Sequence, residues 1–517
     1  MKSTTRILAA LLVLVMVFGL AACAKTDVPA TEPSAADTPA TEPTPAASEE
    51  ATAPTSDPIH LKWYVAGNAP QPDVDTVVAE IEKYILENYD LNLDLEIVCT
   101  DFGSYNDKMQ MVIGSGEEYD ICWASSWCND YYTNVAKNAF LPLDDLLANE
   151  GKEILDVVPE GVIEACRVNG SIYAIPNYQS EYKQNMIAIA QKYIDEFGLD
   201  VSSVTKLSDL NDFFYAIKAA YPDIYPLCVA PGQFDELTLA QGYEAIINTK
   251  VPGAIQLGDE SLTVVNQWEL PSVQEDIELM YRWCQDGIIR MDAATVQESG
   301  VPDLKAGMHA AVIDATYTID SETAVYPDQF GGQPVSCIML SDAWTFTQAP
   351  IATVNAISTT SKNPAAAMRL LKIVNTDAKL FNLLCFGIEG THYTVNEDGT
   401  ASSIASAGYD PNTDWVFGDQ FNALPRAGQS ADIWEKTKAK NDSAKISTAM
   451  GFTFDASAVS NEIAACTAVY DQYIEPLTMG SIDPATGIPE MLSKLEAAGY
   501  KTILDEIQRQ VNEWAGK

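Results

Sequence analysis

The sequence predicts an α/β fold divided into more than one lobe, and three observations predict it. Between residues 60 and 124, strand-forming runs alternate with amphipathic helical runs in the order strand, helix, strand, helix, strand, the pattern of a doubly wound sheet. Residues 59–517 make a chain too long for one compact core. Of all 517 residues, 47% are apolar, which is the composition of a globular protein able to bury large cores.

The elements follow in order. His60-Leu61-Lys62-Trp63-Tyr64-Val65 alternates and is rich in strand formers, so it reads as the first strand. Gly67-Asn68-Ala69-Pro70 ends it in a loop. Val74, Val77, Val78, Ile81 and Ile85 recur at helical spacing, with Asp73 as the expected cap. Residues 91–98 alternate again as a strand. Tyr105, Met109, Val112 and Ile113 mark a second helix, stopped by Gly114 and Gly116. Residues 119–124 are the third strand. Further on, residues 170–176 read as a short hairpin element closed by Pro176. Residues 206–220 and 273–286 read as helices, and residues 310–313 as a buried strand. Asn363-Pro364 opens a helix with proline at its first position, continuing through Leu370, Leu371 and Val374. Gly499 separates residues 489–498 from a last helix carrying Ile503, Ile507, Val511 and Trp514.

The first 58 residues belong to neither lobe. Lys2 and Arg6 precede an unbroken apolar run, residues 7–20, which is shorter than the roughly 20 residues of a spanning helix. The run closes on Leu20-Ala21-Ala22-Cys23, which resembles a bacterial lipobox. The expectation is a cleaved lipoprotein signal, residues 1–22, with lipid on the Cys23 thiol. The folded part would then sit on the extracellular face of the cell membrane, anchored by that lipid. Residues 23–58 are mostly Ala, Thr, Pro, Ser, Glu and Asp, have little to bury, and read as a disordered tether.

Bulk charge narrows the partners. A formal charge of −43 sets carboxylates against phosphates, so nucleic acid is excluded as a partner. Ten cysteines include Cys23, leaving nine, an odd number without a Cys-x-x-Cys motif. Apolar contexts at Cys385 and Cys466 favour mostly unpaired, buried thiols. Cys122 and Cys128 are the one candidate bridge.

Several segments, in order, carry a family resemblance. They include Tyr105-Asn106-Asp107-Lys108-Met109 running to Tyr119-Asp120-Ile121, Phe140-Leu141-Pro142-Leu143-Asp144-Asp145-Leu146, and Gly170-Ser171-Ile172-Tyr173-Ala174-Ile175-Pro176. They continue with Trp283-Cys284-Gln285-Asp286-Gly287, Asn355-Ala356-Ile357-Ser358 and Ser361-Lys362-Asn363-Pro364. Gly387-Ile388-Glu389-Gly390-Thr391-His392-Tyr393, Trp415-Val416-Phe417-Gly418 and Met450-Gly451-Phe452 complete the set. Together they resemble the extracellular solute-binding lipoproteins of ABC importers, of the type assigned to sugars. The resemblance implies a two-lobed type II periplasmic-binding-protein-like clamp whose chain crosses the hinge more than once. Carried over, lobe one is residues 59–177 plus 349–386, and lobe two is residues 178–348 plus 387–517.

A receptor of this kind needs a cleft, apolar faces to stack on the solute and polar groups to orient it. A sugar offers a flat C–H face and a hydroxyl rim, matched by Trp or Tyr and by Asn, Gln, Asp or Glu. In doubly wound sheets ligands bind beyond the carboxyl ends of the strands. Loop position therefore selects Asn68 after the first strand and Ser125, Ser126 and Trp127 after the third. Gln179 and Tyr182 follow Pro176, where a crossover is expected. Asp314, Thr316 and Tyr317 follow the strand at 310–313, Trp344 lies near the return crossover, Glu389 follows Gly387, and Trp415 lies in a polar loop. Each has a structural alternative: core packing for the aromatics, a cap or turn for Asp314, and a local hydrogen bond for Glu389.

Catalytic motifs do not emerge. His60, His309 and His392 are the only histidines, and none has a second at metal spacing. There is no Gly-x-Ser-x-Gly elbow and no phosphate loop. Carboxylate pairs such as Glu117-Glu118 and Asp144-Asp145 read as solvated surface. The expectation is a non-enzymatic receptor without cofactor or metal. It would be a monomer, capture a small solute (an oligosaccharide first), and hand it to ABC permease subunits. A short-peptide receptor is the alternative within that class. A surface glycoside hydrolase using two carboxylates, or an adhesin or co-receptor, are the readings outside it.

Overall fold

The structure, a computed structural model, describes residues 57–229, 241–295, 300–314 and 317–516. The expected signal, nearly all of the expected tether, Cys23 and Thr316 lie outside the described residues.

The first lobe begins with strand β1 (Ile59–Ala66), helix α1 (Val74–Tyr89), strand β2 (Leu93–Thr100), helix α2 (Phe102–Ser115) and strand β3 (Ile121–Ala124). β1 runs parallel to both β2 and β3, as the alternation of elements requires. α1 buries Val77, Val78, Ile81 and Ile85, the face expected from their spacing. Its cap is a correction. The Asp73 side chain makes no capping hydrogen bond. It lies 3.4 Å from Nε2 of the fully buried His392. α2 starts earlier than Tyr105, because Asp101 caps it by accepting from Ser104 N. It runs through Gly114 and ends on Gly116, whose φ of 69° suits glycine.

Asn169 and Gly170 both have positive φ and turn a two-residue hairpin between Arg167–Val168 and Ser171–Ile172. Strand β4 (Ala174–Pro176) follows, and the chain leaves the lobe. The second sheet is built from β5 (Met186–Ala190), β6 (Leu227–Cys228), β7 (Ala311–Asp314) and β8 (Val335–Met339), in the order β8-β5-β7-β6. Helix α3 (Asn211–Ala220) packs in the same core, and helix α4 (Pro271–Gln285) buries Leu279, Met280, Trp283 and Cys284 there. The N-terminal half of α4 contributes Val273 and Ile277 to a third core.

Strand β9 (Trp344–Thr345) leads back to β10 (Val354–Ile357), which joins the first sheet antiparallel to β3 and β4. The order of that sheet is β2-β1-β3-β10-β4. Helices α5 (Pro364–Thr376) and α6 (Ala378–Phe386) cover it, with Pro364 at the start as expected. The next segment departs from the expected division. Tyr393, Ala401, Tyr409, Val416, Phe417 and Ala423 are buried in the first core, whereas the sequence reading assigns everything after residue 386 to lobe two. The short helix α7 (Asp414–Phe417) lies in this segment. The apolar residues are too sparse along the segment to announce which core receives them.

Helix α8 (Ile433–Ser443) and strand β11 (Lys445–Ile446) carry the chain across again. Helices α9 (Ser460–Thr478), α10 (Pro484–Ala498) and α11 (Tyr500–Trp514) then fill the third core with Ile474, Leu477, Met491, Ile503, Ile507 and Val511. Gly499 separates α10 from α11 at φ 92°. The three crossings meet side by side. Lys183 and Trp344 exchange backbone hydrogen bonds of 2.8 and 3.0 Å, and β9 pairs with β11 on its other side. Three backbone segments tied together form the hinge of the clamp. The nine cysteines from Cys99 to Cys466 are free, including Cys122 and Cys128.

Candidate functional site

The loops beyond the carboxyl ends of β1, β2 and β3 converge on one aromatic ledge. Phe102 follows β2 directly, Trp127 follows β3, and Trp415 comes from α7. The Phe102 and Trp415 rings stack with centroids 5.5 Å apart and planes 18° apart. Phe102 also stacks on Trp127 at 6.0 Å and 27°. Trp123, fully buried, meets Trp127 and Trp415 edge-on from below at 5.3 and 5.7 Å. Trp127 is 58% exposed, and Trp415 and Phe102 are half-buried. Exposing this much aromatic surface on a rigid base has a hydrophobic cost that a stacked ligand would relieve.

Buried polar groups hold the ledge. Ser125 Oγ accepts from the Trp127 and Cys128 amides and donates to Cys128 O at 2.7 Å. Ser125 is fully buried, so its hydroxyl is committed to shaping the turn that projects Trp127. Ser126 N bonds Ile351 O, and Trp127 Nε1 donates to Ala352 O, tying the turn to the loop before β10. On the other side, Asn355 Nδ2 donates to Val416 O and Phe417 O, and Asn177 Nδ2 donates to Trp415 O and Val416 O. Trp63 Nε1 donates to Asn355 Oδ1, and Trp123 Nε1 to Thr353 Oγ1 at 2.6 Å. Asn68 is exposed. Its backbone and side chain both bond the 410–411 backbone, which places it beside the Trp415 loop.

A strip of polar side chains continues from the ledge toward the hinge. Glu181 Oε1 and Gln184 Oε1 are buried without a hydrogen-bond partner, and the Tyr182 hydroxyl is buried beside Ser180. Such groups each cost about 1–3 kcal/mol unless a ligand or water satisfies them. Burial, with Asp442 nearby, lifts the Glu181 carboxyl to about 7. Gln179 O accepts from Asn441 Nδ2, and Lys440 stands 5.6 Å from the Tyr182 ring centroid. Tyr317 joins this strip through its amide, which donates to Gln184 O.

The structure therefore brings Asn68, Ser126, Trp127 and Trp415 together on the ledge, and Gln179, Tyr182 and Tyr317 along the strip. Trp344 is a hinge residue, its backbone paired on both sides. Glu389 is exposed in the turn that bridges to Tyr393. Asp314 ends β7. Phe102, Trp123, Gln184 and Glu181 escape the sequence reading. Phe102 was within reach of the strand-end rule, since it directly follows the second parallel strand; Trp123 sits inside a strand, where aromatics read as core. Among the described residues no group of three or more metal-ligating side chains exists.

Known proteins resemble this chain over most of its length. A carbohydrate ABC transporter substrate-binding protein of Streptococcus pneumoniae is 28% identical over 470 residues, 88% of this chain and 90% of that one. The solved structure of the N-glycan transport solute binding protein NgtS of Streptococcus pneumoniae, in complex with Man1GlcNAc, superposes with a TM-score of 0.74. It is 25% identical and covers 89% of this chain and 100% of its own. The chain is similar to solute-binding proteins of ABC transporters over nearly all of its described length. Another solved structure of NgtS gives a TM-score of 0.76 at 25% identity, covering 88% of this chain and 98% of that one. The Streptococcus pneumoniae FusA complex with kestose shares the fold at a TM-score of 0.62 and 15% identity, covering 89% of this chain and 100% of that one. Residues 448–516 of this chain match a family described as a domain of unknown function, DUF3502.

Proposed function

We propose that this protein is a lipid-anchored extracellular receptor that captures an oligosaccharide between its lobes, without chemistry, and delivers it to an ABC importer. The observation that carries the reading is the exposed Phe102–Trp127–Trp415 ledge at the strand ends, held by Asn177, from which the chain runs on into the buried polar groups of Glu181 and Gln184. Aromatic faces take the C–H side of a pyranose, and Tyr182 and Gln184 take its hydroxyls. Relatives named for carbohydrate transport support the same ligand class. Closure about the three-segment hinge would then bury the sugar. Cys23 would carry the lipid, and permease subunits would receive the solute from the closed clamp.

A thermal-shift and calorimetric screen of oligosaccharides against short peptides tests this. A ligand specific to the folded state raises the melting midpoint. Oligosaccharide hits recovered intact after incubation support the receptor. Peptide hits alone, or turnover of the bound sugar, overturn it.

A further inference from the structure

We propose that the C-terminal helices carry a second saccharide shelf, centred on Trp514, for the outer units of a glycan whose inner end lies on the Phe102–Trp127–Trp415 ledge. The inference rests on the oligosaccharide reading above and gives a role to the 448–516 segment. Trp514 is 45% exposed at the end of α11, whose other aromatic and aliphatic groups face inward. It leans on the buried Phe452 ring, with centroids 5.7 Å and planes 60° apart. The two line a concavity of about 450 Å3, inside the ~300–1,000 Å3 range of small-ligand sites.

Its rim is polar and held in place. Arg509 is clamped by Glu506 and Glu513, with Nη1 to Glu513 Oε1 at 2.6 Å. Gln510 donates to Asp455 O and accepts from Asp455 N, both at 2.9 Å. An indole beside fixed guanidinium, carboxylate and amide groups offers what a sugar presents, an apolar face and vicinal hydroxyls. An apolar ligand would cover these polar groups without bonding them, and an anionic one would meet Glu506 and Glu513.

The shelf also touches the rim of the first lobe. Thr453 lines the concavity and lies beside the Tyr132 hydroxyl. Tyr132 belongs to the helical turn Tyr131–Ala136, which follows the Trp127 loop, and Tyr131 N donates to Ser125 O at 2.9 Å. The shelf therefore continues the ledge along one side of the clamp, and a ligand using both must be a glycan of several units.

The test is calorimetry of the full chain with Man1GlcNAc and Man5GlcNAc. Wild type is expected to bind the longer glycan more tightly. Trp514→Ala is expected to weaken Man5GlcNAc by about tenfold and leave Man1GlcNAc unchanged, with Trp514→Phe keeping most of the affinity. Unchanged melting of the variants shows that the fold persists. Binding of Man5GlcNAc by Trp514→Ala at wild-type affinity overturns the shelf alone. Wild-type protein that binds neither glycan overturns the shelf together with the receptor reading.

Discussion

The Phe102 and Trp415 rings lie nearly parallel, 18° apart with centroids at 5.5 Å, although 313 positions separate them in the chain (415 − 102). One ring is set by the cap of α2, the other by a loop that returns to the first core only after a visit to the second lobe. Trp127 extends the stack, and most of its surface faces solvent.

Trp127→Ala is expected to cut oligosaccharide affinity by roughly tenfold or more, about 1–2 kcal/mol of lost stacking. Its melting midpoint should stay near wild type, because the side chain is largely exposed. Calorimetry with paired thermal melts checks this; a large fall in the midpoint with affinity retained contradicts it.

Asn355→Ala is expected to destabilise the first lobe by about 2–4 kcal/mol. Asn355 is buried and bonds Trp63, Asn177 and two carbonyls of α7, all of which lose their partner. Urea denaturation followed by Trp fluorescence measures the change, and sugar binding should weaken with it because the Trp415 loop loses its anchor.

Glu244 sets a pH dependence. It is buried, accepts from Ser447 Oγ, and burial raises its carboxyl to about 7, partly offset by that hydrogen bond. In the unfolded chain a Glu titrates near 4.3. The folded value is the higher one, so its stability contribution is complete below about pH 4.3 and is lost as pH rises through about 7. Glu244→Gln should remove that loss, on the order of 3–4 kcal/mol. In thermal melts from pH 4 to 8, the variant should gain on wild type across this window; a constant difference between the two contradicts the assignment.

Gly480→Ala is expected to cost about 2 kcal/mol or more. Its φ is 75°, and an added Cβ would come within 2.5 to 2.9 Å of Cys284 Cβ, Met280 O and Tyr281 Cα on α4. This contact joins the second and third cores, so the variant should show broadened unfolding by calorimetry as the two cores lose cooperativity.

Labelling by a thiol reagent should be slow in the native protein and complete in urea. Seven of the nine free cysteines are buried, Cys99 and Cys337 only partly, and burial pushes Cys99 up to about 11. Rapid native labelling of more than these two would contradict the packing.

The alternation of strands and helices through residue 124 was legible in the sequence by itself, as were the helix starts at Pro364 and Tyr500. Spacing of apolar residues decides which face of an element is buried, and that is a local property. The strand-end rule also selected Asn68 and Trp127, and the fold sets Asn68 beside the loop that carries Trp415, whose ring lies 6.2 Å from that of Trp127. What only the tertiary structure decided is which distant segments share a core. Residues 393–423 packed against the first sheet because Asn177, Asn355 and Thr353, far away in sequence, offer the buried donors and acceptors that their backbone needs. For the same reason Trp415 became part of a ledge with Phe102; long-range hydrogen bonding and packing leave no periodic mark on a chain.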